Sequence, residues 1–207
     1  MVNAPCKLCE KKRARRHCPA LGGEICPSCC GSARENTLDC PQSCEYLQEA
    51  RLREQPAAIA EDAIPHKEVR VTEEFLRQHD ELVVWISNSL VRAMEGAHAV
   101  DADAREALDA LARTYRTRES GLIYETRPDN PYAARVQDAL KDSIEELRKA
   151  TAETSGMHSL RDADILGVLV FLERVEQQYA NGRRRGRAFF DFLCRHFPAP
   201  ESNRVSV

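Results

Sequence analysis

The sequence predicts a mainly α-helical protein in which a small cysteine-rich module precedes an all-helical bundle of about five helices. Eight of the nine cysteines lie between Cys6 and Cys44. From Thr72 onwards, apolar residues recur at the three- and four-residue spacing of amphipathic helices. Outside short ribbons expected beside the cysteines, no segment alternates apolar and polar residues as a half-buried strand does. Together these observations indicate a helical bundle with a small cysteine-rich unit at its N-terminal end.

Composition divides the 207 residues into four parts. We expect a cysteine module at 1–47, a short helix and linker at 48–70, the helical domain at 71–198 and a flexible tail at 199–207. The first part has too few large apolar side chains to build a core. Another interaction must therefore hold it together.

Caps and apolar stripes predict the five helices of the second domain. Thr72 suits an N-cap, Asn130 followed by Pro131 is a strong start signal, and Ser159 with Asp162 resembles a capping box. The predicted spans are 72–96, 103–117 with 101 as the alternative start, 130–150, 159–181 and 187–196. The apolar loop Ser120–Tyr124 between the second and third helices either packs into the core, which we expect, or meets a partner.

Overall composition excludes several classes of protein. With 43% hydrophobic residues, 30% charged residues and a net charge of -3, the chain belongs to the soluble globular class and is not a strongly basic nucleic-acid-coating protein. Its longest apolar run, 165–172, is far shorter than the roughly 20 residues that span a bilayer. The N-terminus lacks a secretory signal, so we expect a cytoplasmic protein without membrane association.

The cysteines occur in close pairs that suit a metal. The pairs are Cys6-x2-Cys9, Cys26-x2-Cys29 and Cys40-x3-Cys44, and Cys18 and Cys30 complete the set of eight. In the cytoplasm thiols stay reduced, so such spacing favours metal over disulfides. Eight cysteines make two tetrahedral sets for zinc, and a structural role is expected because no coordination position is left vacant. These interleaved spacings do not suit an iron–sulfur cluster.

The order of these ligands resembles the cross-brace zinc fingers of the MYND, HIT and B-box type, in which a Cys-x2-Cys pair is followed by three further ligand pairs. The resemblance implies two interleaved zinc sites, and it spans Cys6 to Cys44. One site would hold Cys6, Cys9, Cys26 and Cys29, and the other Cys18, Cys30, Cys40 and Cys44. Here Cys18 lacks the usual close partner, so His17 is its alternative, and Cys29 and Cys30 can be exchanged between the sites.

The whole chain also resembles uncharacterised bacterial proteins in which a zinc finger precedes a helical region. The step from Cys29-Cys30-Gly31 to Cys40-Pro41 and the stretch 181–193 (NGRRRGRAFFDFL) carry this second resemblance. It implies no activity.

Two basic clusters suggest sites for anions. Lys11, Lys12, Arg13, Arg15 and Arg16 lie beside the first cysteine pair, where they either contact nucleic acid or compensate the charge of the thiolates. Arg183, Arg184, Arg185 and Arg187 precede the last helix and form the better candidate for anion binding. The alternative for this second cluster is a solvated turn whose arginines pair with Glu173, Glu176 or Asp191.

Catalytic motifs are missing from the sequence. It contains no phosphate-binding glycine loop, nucleophile elbow or dinucleotide fingerprint. A single Glu-x-x-His motif, Glu95 to His98, straddles Gly96 and falls short of the two that a di-iron bundle needs. We expect Cys194 to be a buried structural thiol. The prediction is therefore that the protein is not an enzyme.

We expect a cytoplasmic adaptor or regulator whose zinc module binds a protein partner. The first alternative is a nucleic-acid- or ribosome-binding factor that uses the two basic clusters. Another alternative is a thiol-based redox or zinc sensor, in which mild peroxide would release the metal.

Overall fold

The computed structural model describes residues 4–155 and 160–197. Within these residues the chain forms two short strands and eight α-helices, which confirms the mainly α-helical fold. The strands are β1 (Arg16–Cys18) and β2 (Gly23–Ile25). The helices are α1 (Pro27–Ala33), α2 (Glu45–Arg51), α3 (Glu73–Gln78), α4 (Asp80–Ala97), α5 (Asp101–Glu119), α6 (Pro131–Ser155), α7 (Asp162–Tyr179) and α8 (Ala188–His196).

The cysteine module has a small core of its own. Strands β1 and β2 pair antiparallel, with His17 opposite Glu24, and Gly22 supplies the left-handed backbone that closes their turn (φ 55°). Ile25, Leu38 and Leu47 are buried together with cysteines in a cluster separate from that of the helical domain. Three large aliphatic side chains are few for the core of an independent domain.

The helical domain is a bundle built around α4, α5, α6 and α7. Helix α5 packs along α7 and α6, and α4 packs along α6, while α8 covers one end. Their apolar stripes supply the core, whose fully buried members include Ile86, Leu90, Leu108, Leu111, Leu140, Ile144, Ile165, Leu169 and Phe189. Within the part of the chain that the structure describes, no helix is both long enough and apolar enough to cross a membrane.

The first predicted helix is divided into α3 and α4, so the domain has six helices where the sequence predicted about five. Thr72 caps α3 as expected, because its Oγ1 accepts from the backbone N–H of Phe75 (3.1 Å). The break falls at His79, whose backbone leaves the helical region (φ −122°, ψ 27°) and whose Nδ1 lies 2.9 Å from the Phe75 carbonyl oxygen. Helix α4 then continues through Gly96 and ends where His98 adopts a left-handed conformation.

Other helices begin or end a few residues away from their predicted boundaries. Helix α5 begins at the alternative start, Asp101, and α6 runs beyond the expected Ala150 to Ser155. Asn130 caps α6 as predicted, since its Oδ1 accepts from the N–H of Tyr132 (3.0 Å). The predicted cap Ser159, residue 198 and the predicted tail 199–207 lie outside the described residues.

The segment predicted as a linker is bound along helix α7. The N–H of Ala57 donates to the Gln178 carbonyl (2.7 Å), and the Arg174 guanidinium donates to the carbonyls of His66 (2.7 Å) and Val69 (3.1 Å). These bonds fix the path of the chain from the cysteine module to the bundle.

The apolar loop after α5 does not pack into the core, so that expectation was wrong. Leu122, Ile123 and Tyr124 are 62%, 102% and 66% exposed. The loop is held through backbone atoms, because Thr117 Oγ1 donates to the Tyr124 carbonyl (3.0 Å) and Thr114 Oγ1 accepts from the Thr126 N–H (3.0 Å). Anchoring by the backbone leaves the three side chains directed at solvent.

Candidate metal centre

Four cysteines form a compact group with the dimensions of a zinc site. The sulfur atoms of Cys6, Cys9, Cys26 and Cys29 all lie within 4.8 Å of one another. Sulfur atoms bound tetrahedrally to zinc at 2.3 Å are separated by about 3.8 Å, so only small movements would be needed to bind the ion. The four residues are those that the sequence assigned to one site.

Two local structures position these four sulfur atoms. The N–H of Glu10 donates to the Cys6 carbonyl (2.8 Å), and Glu10 takes a left-handed conformation (φ 56°), so the chain turns tightly around Cys6 and Cys9. Cys26 is the N-cap of α1, and its sulfur accepts from the N–H of Cys29 (3.4 Å). One helical turn therefore places the third and fourth sulfurs side by side.

The thiols of this group cannot all ionise without a cation. Burial opposes ionisation of Cys6, but N–H groups of Cys26, Cys9 and Leu8 outweigh it and lower the pKa of this thiol to about 6. At Cys29 the hydrogen bond with the Cys26 thiol, followed by burial, raises the pKa to about 12. Backbone N–H groups of Lys11 and Lys12 lower the pKa of Cys9 as well, so a thiolate is favoured at Cys6 and Cys9 and opposed at Cys29, where a divalent ion would favour it.

The other four cysteines line a second small cavity. Cys18, Cys30, Cys40 and Cys44 surround a space of about 10 Å³, closed by apolar groups such as Leu38 and Leu47. Their sulfurs are more widely spaced than those of the first group, since no three lie within 4.8 Å of one another. The cavity has room for an ion or a water molecule and for nothing larger.

Helical geometry explains why Cys29 and Cys30 serve different groups. Neighbouring residues on an α-helix point about 100° apart, so Cys29 faces the first group while Cys30 faces the second cavity. The Cys30 sulfur accepts from Arg16 Nη1 (3.5 Å) and lies 3.9 Å from Arg34 Nη2.

Strand geometry decides between His17 and Cys18. Successive side chains of a strand point to opposite faces, and here Cys18 is buried while the His17 side chain is 62% exposed. His17 Nδ1 lies 3.1 Å from Glu24 Oε1 on the neighbouring strand. Cys18 is therefore the ligand candidate at this position, and His17 is not needed to complete the set.

Cys40 links the second cavity to the rest of the molecule. Burial raises the pKa of its thiol, the backbone N–H of Glu35 lowers it, and charges at Cys44 and Cys18 raise it further. Because the backbone N–H of Glu35 donates to the Cys40 sulfur, Glu35 lies next to the second cavity.

The two groups alternate along the chain in a cross-brace order. The first takes residues 6, 9, 26 and 29, and the second takes residues 18, 30, 40 and 44. Comparison of the chain with protein-family models, curated proteins and solved structures found no match in any of the three. The kinship with MYND, HIT and B-box fingers accordingly stays a prediction, while the cysteine cluster itself is a feature of the structure.

The predicted anion-binding arginines lie against the cysteine module. Arg183 Nη1 donates to the carbonyls of Gly31 (3.1 Å) and Arg34 (2.5 Å). Asp39 lies 3.1 Å from Arg187 Nη1 and 3.8 Å from Arg185 Nη1. Anion binding by the cluster stays a prediction, but three of its four arginine side chains already contact module groups.

The partners first considered for these arginines bind elsewhere. Glu176 pairs with Arg105, Asp191 with Arg195, and Glu173 lies beside His66. The turn 181–187 is thus the contact segment of the helical domain with the module.

Glu35 is the centre of this contact, and sequence reasoning missed it. The residue is 1% exposed, and its carboxylate accepts from the Arg51 guanidinium, from Asn181 Nδ2 (2.9 Å) and from the N–H of Arg187 (3.0 Å). Its carbonyl accepts from the N–H of Arg185 (2.7 Å). A buried acid needs such partners. A single acidic residue in a polar segment gives no indication in the sequence that it will be buried or which partners it will bind.

The N-terminal basic run stays on the surface. Lys11, Lys12, Arg13 and Arg15 are exposed, and their side chains have no hydrogen-bond or ion-pair partner among the described residues. Arg16 differs, because its guanidinium lies 4.6 Å above the Tyr46 ring and contacts Cys30. The run therefore divides into one structural arginine and four exposed cations.

The ninth cysteine, Cys194, was predicted to be buried. Cys194 is exposed and not buried as predicted, and partial burial followed by charges at Glu95 and Asp191 raises its pKa to about 11. A thiol with so high a pKa is a poor nucleophile at neutral pH.

Proposed function

We propose that the chain is a zinc-binding adaptor whose module holds two structural zinc ions and presents a basic face to an acidic protein partner. The division of eight cysteines into two groups of four supports the number of ions. Because each group supplies four sulfurs, neither leaves the open position that a catalytic zinc requires. In small zinc-dependent domains the metal contributes on the order of 10 kcal/mol, enough to replace a core.

The observation that carries the binding role is the exposed face formed by Leu8, Lys11, Lys12, Arg13 and Arg15, which we call the basic face. Leu8 is 42% exposed, and the four cations have no side-chain partner among the described residues. The other basic cluster is largely occupied by the module. An exposed apolar residue close in the sequence to four unpartnered cations fits a partner surface with carboxylates around a small apolar contact.

Charge reversal of the basic face tests this proposal. Native complexes would be captured from extracts of the source organism with the wild-type chain and with a variant carrying Lys11→Glu, Lys12→Glu and Arg13→Glu. The matched control carries Lys67→Glu, Arg70→Glu and Lys149→Glu, three exposed cations elsewhere in the chain. We expect the first variant to lose the partner and the control to retain it. Equal recovery by both would contradict the proposal.

The same exposed cations favour nucleic-acid or ribosome binding as the second candidate. Phosphate contacts make affinity fall steeply with salt, and each lost cation should lower the slope of log affinity against log salt by about one. We expect this behaviour only if the captured partner is RNA or DNA. Binding that survives nuclease treatment and depends weakly on salt would eliminate the candidate.

A further inference from the structure

A third group of potential ligands lies outside the cysteine module. His66, on the segment bound along α7, projects between α5 and α7. Its Nε2 lies 3.4 Å from Asp109 Oδ1 and 3.4 Å from Glu173 Oε2. All three atoms lie within 4.8 Å of one another. The group combines one imidazole with two carboxylates, and its members come from three separate segments.

The two separations from His66 Nε2 are close to those between ligands of a shared cation. Direct N–H···O bonds have donor–acceptor distances of about 2.7–3.2 Å, and both separations here are longer. Nitrogen and oxygen atoms bound tetrahedrally to zinc at about 2.0–2.2 Å are separated by about 3.3–3.5 Å. An ion between the three atoms would therefore meet each at bonding distance with little movement of the side chains.

Glu173 provides an independent indication of a ligand. The residue is 6% exposed, and its Oε2, the oxygen directed at His66, is buried without a hydrogen-bond partner. A buried carboxylate oxygen without a donor costs free energy unless a cation compensates it. Asp109 lies on the more open side, with a side chain 32% exposed, so an ion could enter from there.

The surrounding structure fixes the imidazole in place. His66 adopts a left-handed backbone conformation (φ 47°), which is strained for a residue with a side chain. Arg174 holds this conformation by donating to the carbonyls of Pro65 (3.1 Å), His66 and Val69. Glu68 Oε1 lies 3.8 Å from Nδ1 of the ring. That separation is too long for a hydrogen bond, and Arg116 binds the same oxygen, so the bonds from Arg174 to the backbone are what position the ring.

We propose that His66, Asp109 and Glu173 form a divalent transition-metal site, distinct from the cysteine groups, that takes zinc. Two carboxylates and a neutral imidazole balance a charge of +2. Imidazole with carboxylate oxygens suits zinc better than magnesium or calcium. Three protein ligands leave at least one coordination position for water, as in zinc sites that are not purely structural.

His79, a second histidine of the helical domain, provides a comparison with the His66 group. His79 Nε2 lies 3.3 Å from Asp164 Oδ1, a similar separation, but it has one carboxylate and not two. Arg161 binds Asp164 through two hydrogen bonds (2.9 and 2.7 Å), just as Arg113 contacts both oxygens of Asp109 (3.0 Å each), so the two histidine sites differ in the number of carboxylates. This pair lacks a third ligand and serves as the matched control.

The test is a zinc titration of the full chain with its cysteine sites filled. A thiol assay in which only Cys194 reacts would establish that starting state. Isothermal titration calorimetry should then find one further equivalent of zinc in the wild type. We expect Asp109→Asn and Glu173→Gln to weaken this binding by at least about tenfold, and we expect the control His79→Gln to bind as the wild type does.

Two results would overturn the proposal. One is a wild-type chain that takes up no further zinc, with nitrogen NMR showing His66 as an imidazolium shared by the two carboxylates. The other is unchanged zinc affinity in Asp109→Asn. Should Glu173→Gln fail to fold, the partly exposed Asp109 still provides a decisive variant. Neither result depends on the proposed adaptor role, because the readout is metal bound outside the cysteine module.

Discussion

A buried carboxylate, that of Glu35, joins the cysteine module to the helical domain. Glu35 joins Arg51 at the end of helix α2 to Asn181 and Arg187 of the helical domain, and both members of the Glu35–Arg51 ion pair are almost fully buried. A buried ion pair adds little net stability compared with apolar packing. Removal of one partner is costly, because it leaves the other charge buried and uncompensated.

We expect Glu35→Ala to lower the free energy of unfolding by about 3–5 kcal/mol, because it removes the buried acceptor shared by Arg51, Asn181 and the Arg187 N–H and leaves Arg51 only its ion pair with Glu54. Urea unfolding followed by circular dichroism at constant zinc would measure the change. Glu49→Ala is the control, since Glu49 forms an exposed ion pair with Arg53 and should cost less than about 1 kcal/mol. Equal losses in the two variants would refute the role given to Glu35.

Asp101 is a second buried acid whose protonation should control stability. Its carboxylate accepts from the N–H groups of Phe189 (3.0 Å) and Phe190 (3.1 Å) at the start of α8. Burial raises the pKa of Asp101 to about 7, although those two N–H groups lower it. The folded state thus holds the proton more tightly than the unfolded chain, in which the ordinary value is 3.8.

The sign of the pH effect follows from this raised pKa. The contribution of Asp101 is fully present below pH 3.8 and is lost as pH rises to about 7. Relative to Asp101→Asn, the wild type should lose up to about 1.4 kcal/mol per pH unit below pH 7 and then level off. Urea unfolding of both proteins between about pH 5 and 8 would measure it. Parallel profiles would contradict the assignment.

At the scale of elements, helix α1 and strand β1 direct their cysteines to the two cysteine groups. Helix α1 sends Cys29 to one group and Cys30 to the other, and β1 buries Cys18 while exposing His17. The second group also supports the contact with the helical domain, because Glu35 follows α1 and donates its N–H to Cys40. Loss of the two groups should therefore have different consequences.

We expect Cys44→Ser to release the turn 181–187 and Cys9→Ser to leave it largely protected. The first change disrupts the group of Cys18, Cys30, Cys40 and Cys44, which lies next to Glu35. The second disrupts the group of Cys6, Cys9, Cys26 and Cys29, which lies farther from Glu35. In both variants the helical domain should stay folded, because its core is a separate cluster. Hydrogen exchange of the Arg185 and Arg187 amides would report the difference. Equal exposure in both variants, or loss of the helical circular dichroism signal, would contradict this account.

Some elements were predictable because their signals are local. Thr72 and Asn130 cap helices through bonds within three residues, and the apolar stripes of α5 to α8 appear directly in the sequence. The cross-brace resemblance likewise placed Cys6, Cys9, Cys26 and Cys29 in one group, and their sulfur atoms do cluster. His79 breaks a helix whose periodicity continues across it, so the pattern alone predicted one helix where there are two.

At the scale of the whole molecule, two small cores meet across a polar contact, and this arrangement was not predictable. The bonds of Glu35 to Asn181 and Arg187 join residues about 150 positions apart, and His66, Asp109 and Glu173 come from three distant segments. Such contacts exist only after the bundle has packed. For the same reason, the partners considered from the sequence for the arginines of 183–187 differ from those that they have.

We propose that two zinc ions hold the cysteine module together. Zinc content of the reduced, purified chain, measured by plasma mass spectrometry after gel filtration has removed weakly held metal, tests it most directly. We predict two zinc ions per chain in the wild type and a loss of zinc in both Cys9→Ser and Cys44→Ser. A wild-type chain that keeps no zinc, or a Cys44→Ser variant that keeps as much as the wild type, would contradict the claim.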